Sequence, residues 1–373
     1  MTSEARATGG LGPARDRAPL RRNQWGRRPP ERASYHDDRS GMADGAVYAA
    51  LDLGTNNCRL LVARPTEDSF RVVDAFSRII RLGEGLSHTG RISDAAIERA
   101  VGALTVCRDK MRARGVSRAR LIATEACRAA ENGETFRCRI AEEVGLDLEV
   151  VDRETEALLA ATGCAPLVAP EADGVILFDI GGGSSELVRL GRTVNNESGP
   201  VSAEIEAWTS IPVGVVTLAE RYGGVVVTTA VYDAMVQEVA AHIAPFARAN
   251  GNGNLDRIHL LGTSGTVTTI AGVHLRLPRY DRRRVDGTWL SGRQISDVVE
   301  HLLAMGYEDR VANPCIGAER ADLVLAGCAI LEAIRHAFPC KRLRVADRGL
   351  REGMLVQMMR EDRVWGRPSG ETP

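Results

Sequence analysis

The chain has 373 residues, 44% of them hydrophobic and 26% charged, which is enough apolar sequence for two domains with sizeable cores. A formal net charge of −1 gives no molecule-wide attraction for nucleic acid or other polyanions, so any anion site must be local. No apolar run reaches the roughly 18 residues of a membrane span, and eight cysteines without a C-x-x-C pair argue against zinc or disulfide frameworks and for buried thiols in a reducing cytoplasm.

Residues 1–45 are rich in Arg, Pro and Gly with hardly any aliphatic periodicity, so they are expected to be disordered. They lack the apolar centre of a secretory signal. An arginine-rich arm could bind nucleic acid or polyphosphate. A dispensable tail, or upstream sequence ahead of a start at Met42, is the simpler reading.

From Val47 the pattern is strand, turn, strand: Val47–Leu51 is apolar, Asp52 ends it, Gly54, Thr55 and Asn56 form the turn, and Arg59–Val62 returns. Further strands pass through 70–73 and 79–80. Ser93 caps a helix whose apolar face includes Ile97, Val101, Leu104 and Met111. A short strand at 120–123 leads to the Thr124–Asn132 segment. The next helix carries Phe136, Ile140 and Val144; then come a strand at 148–151 and a helix starting near Glu154. This alternation predicts mixed α/β layers.

Val175–Phe178 is a buried-type strand that runs into Asp179, then Gly181, Gly182, Gly183, Ser184 and Ser185, then Glu186 and a second strand. Three glycines let the backbone approach a bound group and take positive φ at no steric cost. Consecutive N–H groups form an anion nest, which the two serines supplement. A carboxylate beside a phosphate nest makes sense if a hard cation lies between them. The alternative is a glycine-rich hairpin with no ligand, but Asp52 begins an earlier copy 127 positions upstream. A third turn, Gly262-Thr263-Ser264-Gly265-Thr266, follows an apolar strand and opens a helix, whose N-terminus favours anions. No turn ends in Gly-Lys-Ser/Thr, and the only lysines are Lys110 and Lys341, so a Walker-type loop is excluded. Residues 211–216 link the hairpin to a helix over 231–246. The arginine cluster at 279–284 reads as a solvated loop. Helices around 293–305 and 319–337, a strand at 342–345 and a helix through Met354 complete the chain.

The segments DLGTNNCRL, DIGGGSSEL and GTSGTVTTIA resemble the phosphate and glycine motifs of the actin-like, Hsp70-like and sugar-kinase-like ATPase superfold. Together with RLGEGL, ATEACRAAEN, ETEA and DRGLREG, they resemble the exopolyphosphatase and guanosine pentaphosphate phosphohydrolase family over roughly residues 46–360. That implies an α/β protein of two actin-like (ribonuclease H-like) lobes around an interdomain cleft. The first lobe would span 46–160 and the second 161–362, with the last helix able to pack back on the first lobe, and 363–373 would form a disordered tail. The extra helical domains of long family members are not expected in this sequence.

The resemblance implies Glu156 as the catalytic base, with Glu154 its near neighbour, and Asp52, Asp179 and Glu186 around Mg²⁺. It places phosphate on Gly54, Thr55, Asn56, Arg128, Gly181, Gly182, Gly183, Ser184, Ser185, Gly262, Thr263, Ser264, Gly265 and Thr266. Arg59 and Arg81 are weaker candidates, equally readable as surface or interlobe ion pairs. The expected activity is release of phosphate from the end of inorganic polyphosphate. Guanosine pentaphosphate hydrolysis is the alternative, and a nucleotide-binding regulator with little turnover is a third option. No specific nucleic acid or membrane partner is expected, and a homodimer is left open.

Overall fold

The computed structural model describes residues 45–194, 199–251 and 257–365; the expected N-terminal extension up to residue 44, and the tail from 366, lie outside them. The first sheet opens with three antiparallel strands, β1 (Tyr48–Leu53), β2 (Asn57–Pro65) and β3 (Phe70–Ile79). The two short strands expected through 70–73 and 79–80 are one strand, because β3 pairs with β2 along its whole length. Then come α1 (Leu86–Thr89), α2 (Asp94–Ala113), β4 (Arg118–Ala123), α3 (Glu125–Ala129), α4 (Gly133–Val144) and β5 (Glu149–Val150). β4 runs parallel to β1 and β5 parallel to β4, so the order is β3-β2-β1-β4-β5.

The helix α5 (Arg153–Cys164) leads into the second sheet. A 3-10 turn at Ala165–Leu167 precedes the antiparallel β6 (Gly174–Ile180), β7 (Ser185–Val194) and β8 (Ser202–Ile211). After them come α6 (Val215–Tyr222), α7 (Thr229–Asn250), β9 (Ile258–Thr263), α8 (Gly265–His274), α9 (Arg282–Val285) and β10 (Trp289–Ser291). The chain ends with α10 (Gly292–Ala304), α11 (Tyr307–Ala312), α12 (Val324–Ala337), β11 (Arg342–Ala346) and α13 (Leu350–Glu361). The order β8-β7-β6-β9-β11 repeats the plan of the first sheet, with β10 added antiparallel at the edge. The link at 211–216 therefore feeds α6, one helix earlier than its sequence suggests.

Period-two alternation along β1 assigns its two faces. Ala49, Leu51 and Leu53 pack with Ala96, Ala100 and Leu104 of α2, whose N-terminus Ser93 caps by accepting from Ala96 N at 3.3 Å. Tyr48 and Ala50 face the other way, onto Met354, Leu355 and Met358 of α13. In the second sheet, Ile176 and Phe178 join the large core built with α7, α8, α10 and α12, while Val175 and Leu177 pack against Ala157, Ala161 and Cys164 of α5. Val364 and Trp365, assigned to the tail from sequence, extend the α13 cluster, and the Trp365 indole N–H donates to Thr66 O at 2.9 Å.

The two back helices, α5 and α13, cross with their backbones in contact. A Cβ on Gly353 would lie 1.9 Å from Leu159 O, and one on Gly163 would lie 2.0 Å from Gly349 O. Neither neighbour is a side chain that can swing aside. Gly353→Ala should therefore cost about 3 kcal/mol or more. Urea unfolding measures it, and an unchanged midpoint would mean that the helices separate freely.

Candidate active site

The carboxylates sit where strand register puts them. Asp52, near the end of β1, lies directly opposite Arg59 on β2; Asp179, at the matching place on β6, lies opposite Glu186 on β7. The loops after these two strands approach each other across the lobes. A Cβ on Gly182 would come within 2.9 Å of Thr55 Cβ, and one on Gly183 within 3.0 Å of Thr55 Oγ1 and of Glu125 Cγ. Gly214 presses on Gly182 from behind, its added Cβ falling 2.3 Å from the Gly182 carbonyl carbon. Gly54 and Gly181–Gly183 do not have the positive φ that their composition invites. These glycines serve close approach between loops.

Between the loops lies a cavity of about 120 Å³. Its walls include Asp52, Gly54, Thr55, Asn56, Glu156, Asp179, Gly181–Ser184, Glu186 and Ser264–Thr266. Four residues expected there are elsewhere. Ser185 is fully buried and its hydroxyl donates to Val213 O at 2.7 Å. Gly262 lies inside β9 against the Phe178 ring, where a Cβ would sit 2.5 Å from Cζ. Arg128 is tied up by Glu125 Oε2 at 2.6 Å, Val151 O at 2.5 Å and Glu156 Oε2 at 3.3 Å. Thr263 donates to Arg348 O at 2.6 Å and lines a second, adjoining cavity.

The turn into α8 shows backbone strain. Ser264 has φ +90°, in the half of backbone space that favours glycine, and its Oγ is buried without a hydrogen-bond partner among the described residues. Asn56 Oδ1 is likewise unpartnered there. The Ser264 hydroxyl, at the N-terminus of α8, is an unspent donor at a place that favours an anion, whereas Asn56 Oδ1 is an acceptor left for a hydroxyl, a water or a cation.

Five carboxylates, Asp52, Glu125, Glu156, Asp179 and Glu186, line the small cavity against two arginines, Arg59 and Arg320. Glu156 stands at the start of α5, whose N-terminus Asp152 caps by accepting from Thr155 N at 2.7 Å. Burial, and then the neighbouring Glu186, push the Glu156 carboxyl well above its ordinary range, against the pull of Arg128. Burial pushes Asp179 up to about 6 and, with help from Asp179, Glu186 up to about 7. Glu186 is 3% exposed, and its Oε1 accepts from the Ser184 and Ser210 hydroxyls, each at 2.8 Å. Asp52 is also raised by burial, opposed first by Arg59. No three His, Cys, Asp or Glu side chains among the described residues form a ready-made metal cluster. The donor set therefore fits a hard cation held by one or two carboxylates together with water and ligand phosphates.

The second cavity, of about 700 Å³, shares Asp52, Arg59, Asp179, Ser264, Gly265 and Arg320 with the first. Arg351 lines it too, as does Arg282, which pairs with Glu352 at 2.7 Å. One arginine of the expected solvated loop is thus drawn into the cleft, while Arg283 and Arg284 are exposed. The side chains of Arg59, Arg320 and Arg351 make no hydrogen bond or ion pair among the described residues. Arg81 is an interlobe ion pair, with Nη1 2.9 Å from Asp322 Oδ2 and Nη2 3.0 Å from Oδ1.

A model of the Ppx/GppA phosphatase family matches residues 61–362. The chain belongs to that family. A guanosine-5'-triphosphate,3'-diphosphate pyrophosphatase of Aeromonas salmonicida (strain A449) is 27% identical over 320 residues, covering 85% of this chain but 60% of the relative. The chain thus spans about three fifths of the length of that curated relative. Among solved structures, an Aquifex aeolicus Ppx/GppA family member is 27% identical with a TM-score of 0.69, over 85% of this chain and 98% of its own. An exopolyphosphatase-like protein is 29% identical with a TM-score of 0.74, over 85% and 98%. The expectation of two actin-like lobes is borne out in these likenesses. For this Ppx/GppA chain, sequence reasoning gave no role to Glu125, Arg320 or Arg351. Arginine supplies almost all of its basic charge, so no local pattern separates a cleft arginine from a surface one.

Proposed function

We propose that this protein is an exopolyphosphatase that hydrolyses the terminal phosphoanhydride of inorganic polyphosphate. The observation that carries this reading is the union of the two cavities. A small one, walled by loops of both lobes, would hold a terminal phosphoryl group; a large one, lined by Arg59, Arg320 and Arg351, which are unpaired among the described residues, would receive the rest of the chain. Phosphoryl transfer needs position and charge neutralisation more than covalent help. The loop N–H groups at 55–56 and 182–184 and the α8 N-terminus would grip the terminal oxygens, whereas those of Gly54 and Gly181 are spent on Asn57 O and Ser184 O within their own turns. Glu156 would accept a proton from the attacking water at a carboxylate oxygen, and the P–O bond to the next phosphate breaks, giving orthophosphate and a shortened chain. One or two of the carboxylates Asp52, Asp179 and Glu186 would hold Mg²⁺, with the others close by, and its charge would offset carboxylate repulsion and neutralise phosphoryl oxygens. A cytoplasmic site of action suits the eight free cysteines, of which Cys138 is exposed and six are buried. No helix among the described residues is long and apolar enough to cross a membrane.

A second reading, guanosine pentaphosphate hydrolysis, has one observation in its favour. Phe76 and the half-exposed Tyr280 line the large cavity, an aromatic surface that the sequence motifs do not reveal. Base stacking on such a ring is worth about 1–3 kcal/mol. Tyr280→Ala should therefore lower kcat/KM for guanosine pentaphosphate about tenfold and leave polyphosphate nearly unaffected, if the base packs there. Arg320→Met should raise KM for polyphosphate about tenfold or more, and reduce its salt dependence, with a smaller change in kcat. Phosphate release from both substrates at one ionic strength decides. A higher wild-type kcat/KM for guanosine pentaphosphate reverses the two readings, and no release from either revives the regulator.

A further inference from the structure

We infer that Glu125 is a positioning residue for the reaction: by holding the Arg128 guanidinium, it restricts Arg128 to one oxygen of Glu156 and leaves the other oxygen free for the attacking water. This rests on the reading of Glu156 as the base. Glu125 is the first residue of α3, its side chain is 14% exposed, and it lines the small cavity, whereas Arg128 and Arg153 do not. Glu125 Oε2 accepts from Arg128 Nε at 3.1 Å and Nη2 at 2.6 Å, and Oε1 accepts from Arg153 Nη2 at 2.9 Å. The Arg128 fork is thereby committed to Glu125. Its other nitrogen, Nη1, is spent on Val151 O. What remains for Glu156 is a single contact to Oε2 at 3.3 Å, and Glu156 Oε1 makes no hydrogen bond among the described residues.

A guanidinium beside an unshared carboxylate closes into a two-bond fork. Without Glu125, Arg128 could swing the short distance to Glu156 and cover both oxygens, occupying the lone pairs that a water proton needs. Lysine, a point charge without the fork, could not do so. Glu125 also packs against Gly183 of the opposite lobe, so the clamp and the phosphate loop share one surface.

The test is kcat and KM for phosphate release from polyphosphate at saturating Mg²⁺. Glu125→Gln should lower kcat about 10- to 100-fold with KM within about threefold. Adding Arg128→Lys to that variant should recover at least about fivefold of kcat, because the fork is gone. Arg153→Met, which leaves Arg128 on Glu125, should stay within about threefold of wild type. Wild-type kcat in Glu125→Gln, a double variant no better than the single one, or a rise in KM alone would overturn the inference. Should Glu125→Gln fail to fold, Glu125→Asp serves in its place, with the same expected loss and the same recovery by Arg128→Lys. An inactive wild type, or an active Glu156→Gln, would instead overturn the hydrolase reading beneath it.

Discussion

Replacing Glu156 with glutamine lowers kcat by about 10²–10⁴-fold while KM stays within about threefold. Glutamine keeps the shape and can still accept from Arg128, so the cavity walls persist and substrate still binds. What is lost is a carboxylate able to take a proton. Burial and then Glu186 raise the affinity of Glu156 for its proton, which makes its carboxylate a stronger base than an exposed glutamate. Glu154 is the control. It is exposed on the first turn of the same helix and lines neither cavity, so Glu154→Gln should behave as wild type. Steady-state phosphate release measures both, and an inactive Glu154→Gln beside an active Glu156→Gln would move the base by two positions.

Asp179→Asn should abolish most turnover and yet stabilise the metal-free protein. Burial opposes the charge of this carboxyl and pushes it up to about 6 in the folded protein, from an ordinary 3.8. The folded state therefore binds the proton more tightly than the unfolded state. Stability from this group is fully present below the unfolded pKa and is lost as pH rises through about 6. At pH 7.5 without divalent metal, the ionised Asp179 is a cost that asparagine does not carry. The gain should be on the order of 1–3 kcal/mol, or a few degrees in Tm. It should vanish near pH 4, where Asp179 is protonated in the folded protein. Mg²⁺ should raise the Tm of the wild type more than that of the variant, and kcat of the variant should fall at least about 10²-fold. Thermal melts in chelator and in Mg²⁺ at the two pH values check this. A variant less stable than wild type at pH 7.5 in chelator would refute it.

Sequence carried much of the architecture because its signals are local. The helix from Ser93 was legible in one cap and in Ile97, Leu104 and Met111, all of which are buried. The helix with Phe136, Ile140 and Val144 was equally plain, since those three form its buried face. Elsewhere local signals misled. The strand β8 went unnoticed because an edge strand, half-buried along SAEIEAWTSI, lacks a continuous apolar run. The 70–79 stretch looked like two strands because polar residues interrupt it, although pairing with β2 holds it as one.

The candidate site divides in the same way. A glycine turn after an apolar strand, with an aspartate at its end, is a pattern within ten residues, and Asp52, Asp179, Glu186, Gly54 and Gly181–Ser184 were found from it. The sequence by itself determined two such turns, the helix bearing Glu156 and the absence of a Walker lysine. Only the tertiary structure decided which arginines face the cleft and which are already engaged. That question depends on contacts such as Arg81 with Asp322 and Arg348 with Asp286, far apart in the chain. It also decided that Arg128 serves carboxylates, that Ser185 turns into the core, and that Arg59, Arg320 and Arg351 line one cavity, unpaired among the described residues. A guanidinium has the same local signature in every one of these roles. Its electrostatic partner is chosen by strand register and by the meeting of two lobes, and neither is written within the reach of a motif.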